Sequence, residues 1–166
     1  MMNMNRIAIL GALIGITVGL SACGLAPVEP GEPVALGPND GIAAVVIDSL
    51  DLLSQISFEP VGHDAKTLAI TDAPKGVTLY MFVVPAGTYC VAGFHFGSWS
   101  FHSVDPKHGT CFDVLAGKIA YSGNVAPRAV NGGSVRTYQN YDWPAFEAKL
   151  KKEYPDIAAK YPLVTP

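Results

Sequence analysis

A series of short apolar runs, separated by turn-forming residues, is the feature that most constrains the fold of this chain. The runs are rich in β-branched and aromatic residues, and in the clearest of them, residues 77–84, both alternating faces are apolar. Such runs are typical of β-strands, because branched and aromatic side chains fit the pleated surface of a sheet. The sequence therefore predicts a mainly β domain in which residues 77–84 form a central strand or a strand covered on both sides.

Six further strands are predicted around this one, at residues 42–47, 54–58, 66–71, 88–96, 110–115 and 118–125. About seven short strands at this spacing predict an antiparallel β-sandwich. Pro85, Ala86 and Gly87 form a tight turn between the strands at 77–84 and 88–96. So short a connection predicts that these two strands pair as an antiparallel hairpin.

The last predicted strand, residues 118–125, alternates cleanly between apolar and polar residues. The residues predicted to face inward are Ile119, Tyr121, Gly123 and Val125, and those predicted to face outward are Lys118, Ala120, Ser122 and Asn124. This alternation is typical of an antiparallel strand with one face in solvent.

The period of the apolar residues changes from two to about 3.6 after residue 140. One helix face would collect the apolar stripe of Trp143, Phe146, Leu150 and Tyr154. Asp142 is a suitable N-cap, and Pro155 ends or kinks the helix. Residues 141–166 are therefore predicted to form a C-terminal amphipathic helical segment that packs its stripe across the sandwich, with docking on a partner protein as the alternative.

The N-terminus combines a basic residue, an apolar run and a cysteine. Arg6 precedes residues 7–20, which are uncharged and would span roughly 21 Å as a helix, less than the ~30 Å hydrocarbon core of a bilayer. The run ends in Leu20-Ser21-Ala22-Cys23, which resembles the lipobox of bacterial lipoproteins cleaved by signal peptidase II. The resemblance implies that residues 1–22 are a removed signal peptide. It also implies that Cys23 carries diacylglycerol and an N-acyl chain such as palmitate.

A Pro/Gly-rich stretch follows Cys23 and completes the segment 23–40. Because its prolines and glycines exclude a helix or a central strand, we expect an extended tether of up to roughly 50 Å that holds the domain clear of the bilayer. Gly24 stands next to the cysteine. In the enterobacterial lipoproteins that the motif resembles, Asp at this position favours the inner membrane, so Gly24 implies the periplasmic face of the outer membrane, with the inner membrane as the alternative.

Two cysteines remain, Cys90 and Cys111. An even pair in an oxidising compartment predicts a disulfide, which would stabilise the fold by about 3 kcal/mol in the chain-entropy model. Two free thiols or a metal pair are the alternatives, although no Cys-x-x-Cys spacing supports a metal.

Two segments within the predicted β-sandwich, residues 41–140, resemble small bacterial modules of prealbumin-like or Cna-B-like type. They are residues 84–89 (Val-Pro-Ala-Gly-Thr-Tyr) and 116–121 (Ala-Gly-Lys-Ile-Ala-Tyr). In these modules a Pro-x-Gly-x-Tyr hairpin leads into a core strand, and an x-Gly-Lys turn opens a strand with an inward Tyr. The resemblance covers about residues 77–125 and implies a structural or binding module without catalytic residues.

Residues 94–108 hold three of the four histidines together with several aromatic residues. In one interpretation Phe94 and Phe96 belong to the core and the histidines are solvated loop residues. In a second, Phe96, Trp99 and Phe101 form a binding platform for a sugar ring or for an apolar side chain of a partner. In a third, His95, His102 and His108 bind zinc or copper, because imidazole suits both metals, although their spacing matches no established ligand motif.

Charge and motifs narrow the range of functions. The chain has 11 Lys and Arg against 14 Asp and Glu, without a basic stripe, which argues against nucleic-acid binding. No nucleophile elbow, metalloprotease motif or phosphate-binding glycine loop is present, so we expect no enzyme and no cofactor beyond the lipid.

The sequence predicts a lipid-anchored cell-envelope protein that acts as a structural or protein/ligand-binding module. Its partners would be the membrane and another envelope protein. The alternative is a periplasmic metal- or small-ligand-binding protein that uses residues 94–108.

Overall fold

The structure, a computed structural model, describes residues 25–97, 99–102, 109–130 and 134–164. Within these residues there are nine strands in two sheets, followed by two short helices. The elements are β1 (Asp40–Ser49), β2 (Leu53–Val61), β3 (Leu68–Ala73), β4 (Gly76–Pro85), β5 (Gly87–Phe96), β6 (Trp99–His102), β7 (Cys111–Val114), β8 (Ile119–Val130), β9 (Ser134–Asn140), α1 (Trp143–Glu153) and α2 (Pro155–Lys160). The predicted mainly β fold with C-terminal helical structure is confirmed. The predicted number of strands was too low, because β6 and β9 were missed.

One sheet has the order β4-β1-β8-β9, and the other has the order β3-β2-β5-β6, with β7 also paired to β5. Both sheets contribute side chains to a first core, which includes Val45 of β1 and Phe58 of β2. The opposite face of β1, with Ile42 and Val46, lies in a second core together with α1 and α2. β1 is therefore buried on both faces, as its continuous apolar sequence requires.

The predicted hairpin between the strands now numbered β4 and β5 is wrong. β4 pairs antiparallel with β1 over ten residues, whereas β5 pairs with β2, β6 and β7 in the other sheet. The Ala86 N–H donates to the Asn39 carbonyl at 2.8 Å, which joins the turn after β4 to the start of β1. A turn of this length is also sufficient to cross the roughly 10 Å between packed sheets, so its length does not determine the pairing.

The prediction for β8 was also wrong, because this strand is neither half-exposed nor wholly antiparallel. It lies between β1, to which it is parallel, and β9, to which it is antiparallel. Ala120 and Ser122 are 2% and 0% exposed, although both were predicted to face outward. The register against β1 shifts beside Gly123, where φ is +73°, and this bulge places Tyr121 in the second core and Val125 in the first.

Residues 25–36, which we call the strap, lie against the domain. The Leu25 N–H donates to the Thr67 carbonyl at 3.0 Å next to β3, and the Val28 N–H donates to the Met81 carbonyl of β4 at 2.7 Å. Farther along, Val34 packs on the second core. In the structure this part of the expected tether therefore crosses from one sheet to the other instead of extending away from the domain. Its prolines prevent a continuous ladder but allow single backbone hydrogen bonds of this kind.

The C-terminal helices cover the outer face of the β4-β1-β8-β9 sheet. The Asp142 side chain accepts a hydrogen bond from the Ala145 N–H at 3.2 Å, so the predicted N-cap is confirmed. Phe146, Leu150 and Tyr154 are buried in the second core, as the apolar stripe predicted. In the part of the chain that the structure describes, neither helix is long and apolar enough to cross a membrane.

Candidate functional site

The predicted signal peptide and Cys23 lie outside the described residues, so lipidation stays a prediction. The predicted cysteine pair lies within them. Cys90 of β5 and Cys111 of β7 are directly opposite each other, and their sulfur atoms are 2.01 Å apart, at disulfide distance. The pair joins β7 to the centre of its sheet.

The predicted platform of Phe96, Trp99 and Phe101 divides between core and strand pairing. β5 continues into β6 as an antiparallel pair in which Phe96 is opposite Trp99. Phe96 and Phe101 are half-buried and pack against the first core. The first interpretation of this segment expected Phe96 to belong to the core, and Phe101 packs there as well. The side chain of Trp99 lies outside what the structure describes.

The three histidines of the predicted metal site are described only in part. The His95 Nδ1 lies 2.9 Å from the Ser100 hydroxyl oxygen on the neighbouring strand. His102 is opposite Gly93 in the β5–β6 register, and His108 lies outside the described residues. Among the residues that are described, no group of three His, Cys, Asp or Glu residues is placed to hold a metal ion.

A different set of aromatic residues, close together in sequence, is found where β9 leads into α1. We call Tyr138, Tyr141 and Trp143 the aromatic surface. Tyr138 and Tyr141 are 51% and 53% exposed, and Trp143 is half-buried. The rings of Tyr141 and Trp143 are nearly parallel, at 14°, with their centroids 6.2 Å apart. Neighbouring exposed apolar side chains mark interaction sites more often than isolated ones do, so this cluster is the first candidate for a binding site.

Buried aromatic residues hold this pair in place. Tyr121 contacts both rings edge-on, with centroid distances of 5.7 Å to Tyr141 and 5.1 Å to Trp143. Phe146 stacks on Tyr121 at 4.0 Å, and the Tyr121 hydroxyl donates to the Asn124 side chain at 2.6 Å. Burial raises the pKa of Tyr121, so its hydroxyl keeps the proton that it donates. The exposed pair therefore rests on a support that is ordered before any ligand binds.

The bulge in β8 makes room for this arrangement. A Cβ atom at Gly123 would lie 2.9 Å from the Asn140 carbonyl oxygen and 3.2 Å from Cε1 of Tyr141. With φ at +73°, Gly123 also has a backbone conformation that side chains disfavour. Glycine at this position therefore lets the Tyr141 ring approach the backbone of β8.

Polar groups border the aromatic surface. The Gln139 amide donates to the Tyr141 hydroxyl at 3.1 Å and to the Ser122 carbonyl. Asn140 and Asp142, the sequence neighbours of Tyr141, are exposed. Flat rings with amide and carboxylate groups beside them suit a ligand that has an apolar face and polar edges, as a sugar ring does.

Trp143 was predicted only as part of the helix stripe, and neither Tyr138 nor Tyr141 was predicted as a site residue. The available signal was the spacing of three aromatic residues within six positions next to Asn and Asp, just before a helix N-cap. Aromatic residues so close to a helix start are as readily explained by packing, and only the exposures distinguish the two cases.

A cleft lies between the strap and α2. It has a volume of about 200 Å³ and is lined in part by Glu32, Val34, Asp156 and Tyr161. Its lysine, Lys160, donates to the Val34 carbonyl at 2.8 Å and lies 5.0 Å from the Tyr161 ring centroid. This cleft is smaller than the ~300–1,000 Å³ of typical ligand sites, and its cation already serves to hold the strap.

Comparison with known proteins found no family model, no curated protein and no solved structure that matches this chain.

Proposed function

We propose that this chain is a lipid-anchored cell-envelope protein whose β-sandwich acts as a non-catalytic binding module on the periplasmic face of the outer membrane. The lipid anchor is inferred from the lipobox-like Leu20–Cys23 sequence, and the outer-membrane location is inferred from Gly24. The aromatic surface carries the binding role, because its rings are exposed and supported from below. The ligand class that fits it best is a sugar ring, such as an envelope glycan presents.

The two sheets, in this proposal, form a β-sandwich of the prealbumin-like or Cna-B-like type. Three features support the assignment. Both sheets share the first core. Tyr89, which follows the Pro-x-Gly turn, is 0% exposed, and its hydroxyl donates to the Pro85 carbonyl at 3.0 Å. Tyr121, which follows the Gly-Lys turn, is also buried.

Tryptophan fluorescence tests ligand binding directly. Trp99→Phe leaves Trp143 as the sole tryptophan of the chain. Titration of this variant with N-acetylglucosamine oligomers is expected to change the Trp143 emission in a saturable way. Adding Tyr141→Ala should weaken binding by roughly 5-fold or more, since stacking contacts of this kind contribute about 1–3 kcal/mol. Leu50→Ala, at an exposed apolar residue in the β1–β2 connection, serves as the control and should leave binding unchanged. Emission that does not respond to any oligomer would contradict the sugar assignment.

Fractionation of cells tests the anchor separately. Cys23→Ser removes the only thiol that the lipobox can acylate, so the variant should leave the membrane fraction. If its distribution between fractions does not change, lipidation at Cys23 is not what holds the protein.

Metal binding through His95, His102 and His108 is the second candidate, supported by the placement of His95 and His102 on paired strands. Protein purified without a histidine tag would then contain stoichiometric zinc or copper, and His102→Ala would lose it. Metal-free protein would eliminate this candidate, and it would not affect the proposal that the aromatic surface binds a sugar.

A further inference from the structure

We propose that the bilayer faces the edge of the domain formed by β3 and β4, and that β9 with the aromatic surface is turned away from it. This inference rests on the proposed lipidation of Cys23 and adds an orientation that the lipidation by itself does not supply.

The distance between the anchor and the folded domain is short. Cys23 precedes Leu25 by two residues. Two residues span at most about 7 Å even when fully extended. Leu25 is already held to the domain by its hydrogen bond to Thr67 and its bridge to Leu68 of β3. An acylated Cys23 would therefore place the β3 edge next to the lipid headgroups, whatever conformation the two intervening peptide bonds adopt.

The strap cannot act as a long spacer while it is docked. Besides the bonds of Leu25 and Val28, the Tyr154 hydroxyl donates to the Val28 carbonyl at 3.2 Å, and the Tyr161 hydroxyl donates to the Val34 carbonyl at 3.0 Å. These contacts run from Leu25 to Val34, and all of them must break before the strap can extend fully. The relevant reach is therefore about 7 Å rather than the roughly 50 Å of a free tether.

The order of the strands in the two sheets determines which side of the domain faces the bilayer. β3 and β4 are edge strands, one in each sheet, and they contact each other. Farther across the two sheets, β7 contacts β8. The strap bonds to both β3 and β4, so it closes one side of the two sheets. β9 is the last strand of its sheet, three strand spacings from β4, which is about 14 Å. The aromatic surface that follows β9 therefore lies on the side opposite to the anchor.

The surface next to the anchor carries charged side chains. Asp64 and Lys66, in the connection between β2 and β3, are exposed and opposite in charge, and Val61, at the end of β2, is 39% exposed. Such a surface suits contact with zwitterionic headgroups and does not favour insertion into the hydrocarbon core. The domain would thus lie on the membrane at the headgroup level, with its ligand site open to the periplasm.

Fluorescence quenching on vesicles tests this orientation. The full acylated protein is labelled at a single exposed position, either Lys66→Cys near the anchor or Arg136→Cys on β9. It is then bound to phosphatidylethanolamine/phosphatidylglycerol vesicles whose headgroups carry a nitroxide quencher. The fluorophore at position 66 is expected to be quenched about twofold or more beyond that at position 136, because the two sheet edges are about 14 Å apart.

A spacer variant supplies the matched control. Twenty Gly/Ser residues inserted between Gly24 and Leu25 keep the lipid but add an r.m.s. reach of about 25 Å, so the difference between the two labels should disappear. Equal quenching in the protein without the spacer, or stronger quenching at position 136, would overturn the orientation while leaving lipidation intact. If the protein does not bind the vesicles at all, the proposed anchor fails and the orientation fails with it.

Discussion

Close contacts between individual side chains determine the corner where β4 passes into β5. Tyr89 donates to the Pro85 carbonyl, and its ring meets the His63 ring edge-on at a centroid distance of 5.3 Å. The His63 Nδ1 lies 3.1 Å from the Val61 carbonyl oxygen. Gly87 lies beneath the His63 ring, where a Cβ atom would be 2.4 Å from its Cε1. The corner therefore depends on the combination of a small residue at 87 and a planar ring at 63.

Gly87→Ala is expected to lower the free energy of unfolding by about 1–3 kcal/mol, because the added methyl group overlaps the His63 ring. Urea unfolding of Gly87→Ala, His63→Ala and the double variant forms a double-mutant cycle. The double variant should lose less stability than the sum of the single losses, since removing the ring relieves the overlap. Strict additivity would show that the two residues are not in contact.

The cysteine pair supports a second prediction at this scale. Cys90 and Cys111 are 21 residues apart in sequence, and replacing both with Ser should lower the free energy of unfolding by about 3 kcal/mol. Mass spectrometry offers an independent check, because an intact disulfide leaves both cysteines resistant to alkylation until the protein is reduced. Alkylation without prior reduction would contradict the pairing.

Among the elements, the strap differs most from its predicted behaviour. A segment rich in Pro and Gly was expected to be a spacer, and most of its residues are indeed exposed. A few apolar side chains and backbone groups nevertheless attach it to β3, β4, α1 and α2. It also covers part of the open backbone edge of two strands, which reduces their tendency to pair with other chains.

Val28→Pro tests the attachment of the strap to β4. The substitution removes the N–H that donates to Met81, so the strap should open locally and the free energy of unfolding should fall by about 1 kcal/mol or more. Ala35→Pro is the matched control, since Ala35 is exposed and its N–H makes no hydrogen bond among those found in the described residues. Hydrogen exchange at β4 should accelerate in the first variant only. Similar effects of both substitutions would mean that chain stiffness, and not the lost hydrogen bond, is responsible.

Tyr154 makes the attachment of the strap dependent on pH. Burial, with the nearby carboxylates of Glu153 and Glu29, raises the pKa of Tyr154 from 10.0 to about 12. Because the folded state holds this proton more tightly than the unfolded state, the stabilisation is complete below pH 10 and is lost as the pH rises from 10 towards 12. Urea midpoints measured between pH 9 and 11.5 should therefore fall less in Tyr154→Phe than in the unmodified protein. Tyr80 and Tyr121 also have raised pKa values, so some loss of stability at high pH should remain in the variant. If the urea midpoint falls equally with pH in both proteins, the titration of Tyr154 does not contribute to stability.

For the whole molecule, the decisive feature is that the four-stranded sheet is covered on both faces. Its inner face packs on the other sheet, and its outer face packs on the helices and the strap. The predicted boundaries at residues 40 and 140 separate these covering segments from the strands they cover. In the described part of the chain, residues 25–164 therefore contribute to two connected cores that depend on the same sheet.

A chain limited to residues 41–140 is consequently expected to fold poorly or to associate, because the outer face of its four-stranded sheet would meet solvent. Size-exclusion chromatography and binding of a hydrophobic dye should distinguish it from residues 25–164, which should be monomeric and bind little dye. A monomeric, cooperatively unfolding 41–140 fragment would show that the helices and the strap are dispensable.

The sequence predicted the elements that depend on local patterns. The β-branched runs became strands close to their expected limits, and the stripe from Phe146 to Tyr154 became a buried helix face because its spacing matches the helical period. Prediction failed where pairing partners are distant in sequence. The partner of β4 is β1 and the parallel neighbour of β1 is β8, and no local period encodes such choices.

The candidate site shows the same division. Aromatic residues at 96, 99 and 101 and at 138, 141 and 143 look alike as sequence, since either set suits a core or an exposed surface. The packing of the sheets buries part of Phe96 and Phe101 and leaves Tyr138 and Tyr141 in solvent. Exposure is a property of the assembled sheets, so only the structure distinguishes the two sets.

The sequence by itself determined that this chain is mainly β with a C-terminal helical segment, because residue periodicity is local. It also specified the pair Cys90 and Cys111, whose sulfur atoms the structure brings to bonding distance. The tertiary structure decided which strands pair, that the strap docks, and which aromatic residues stay exposed. These outcomes follow from burying two faces of one sheet at once, and this requirement involves residues more than a hundred positions apart, such as Val28 and Tyr154.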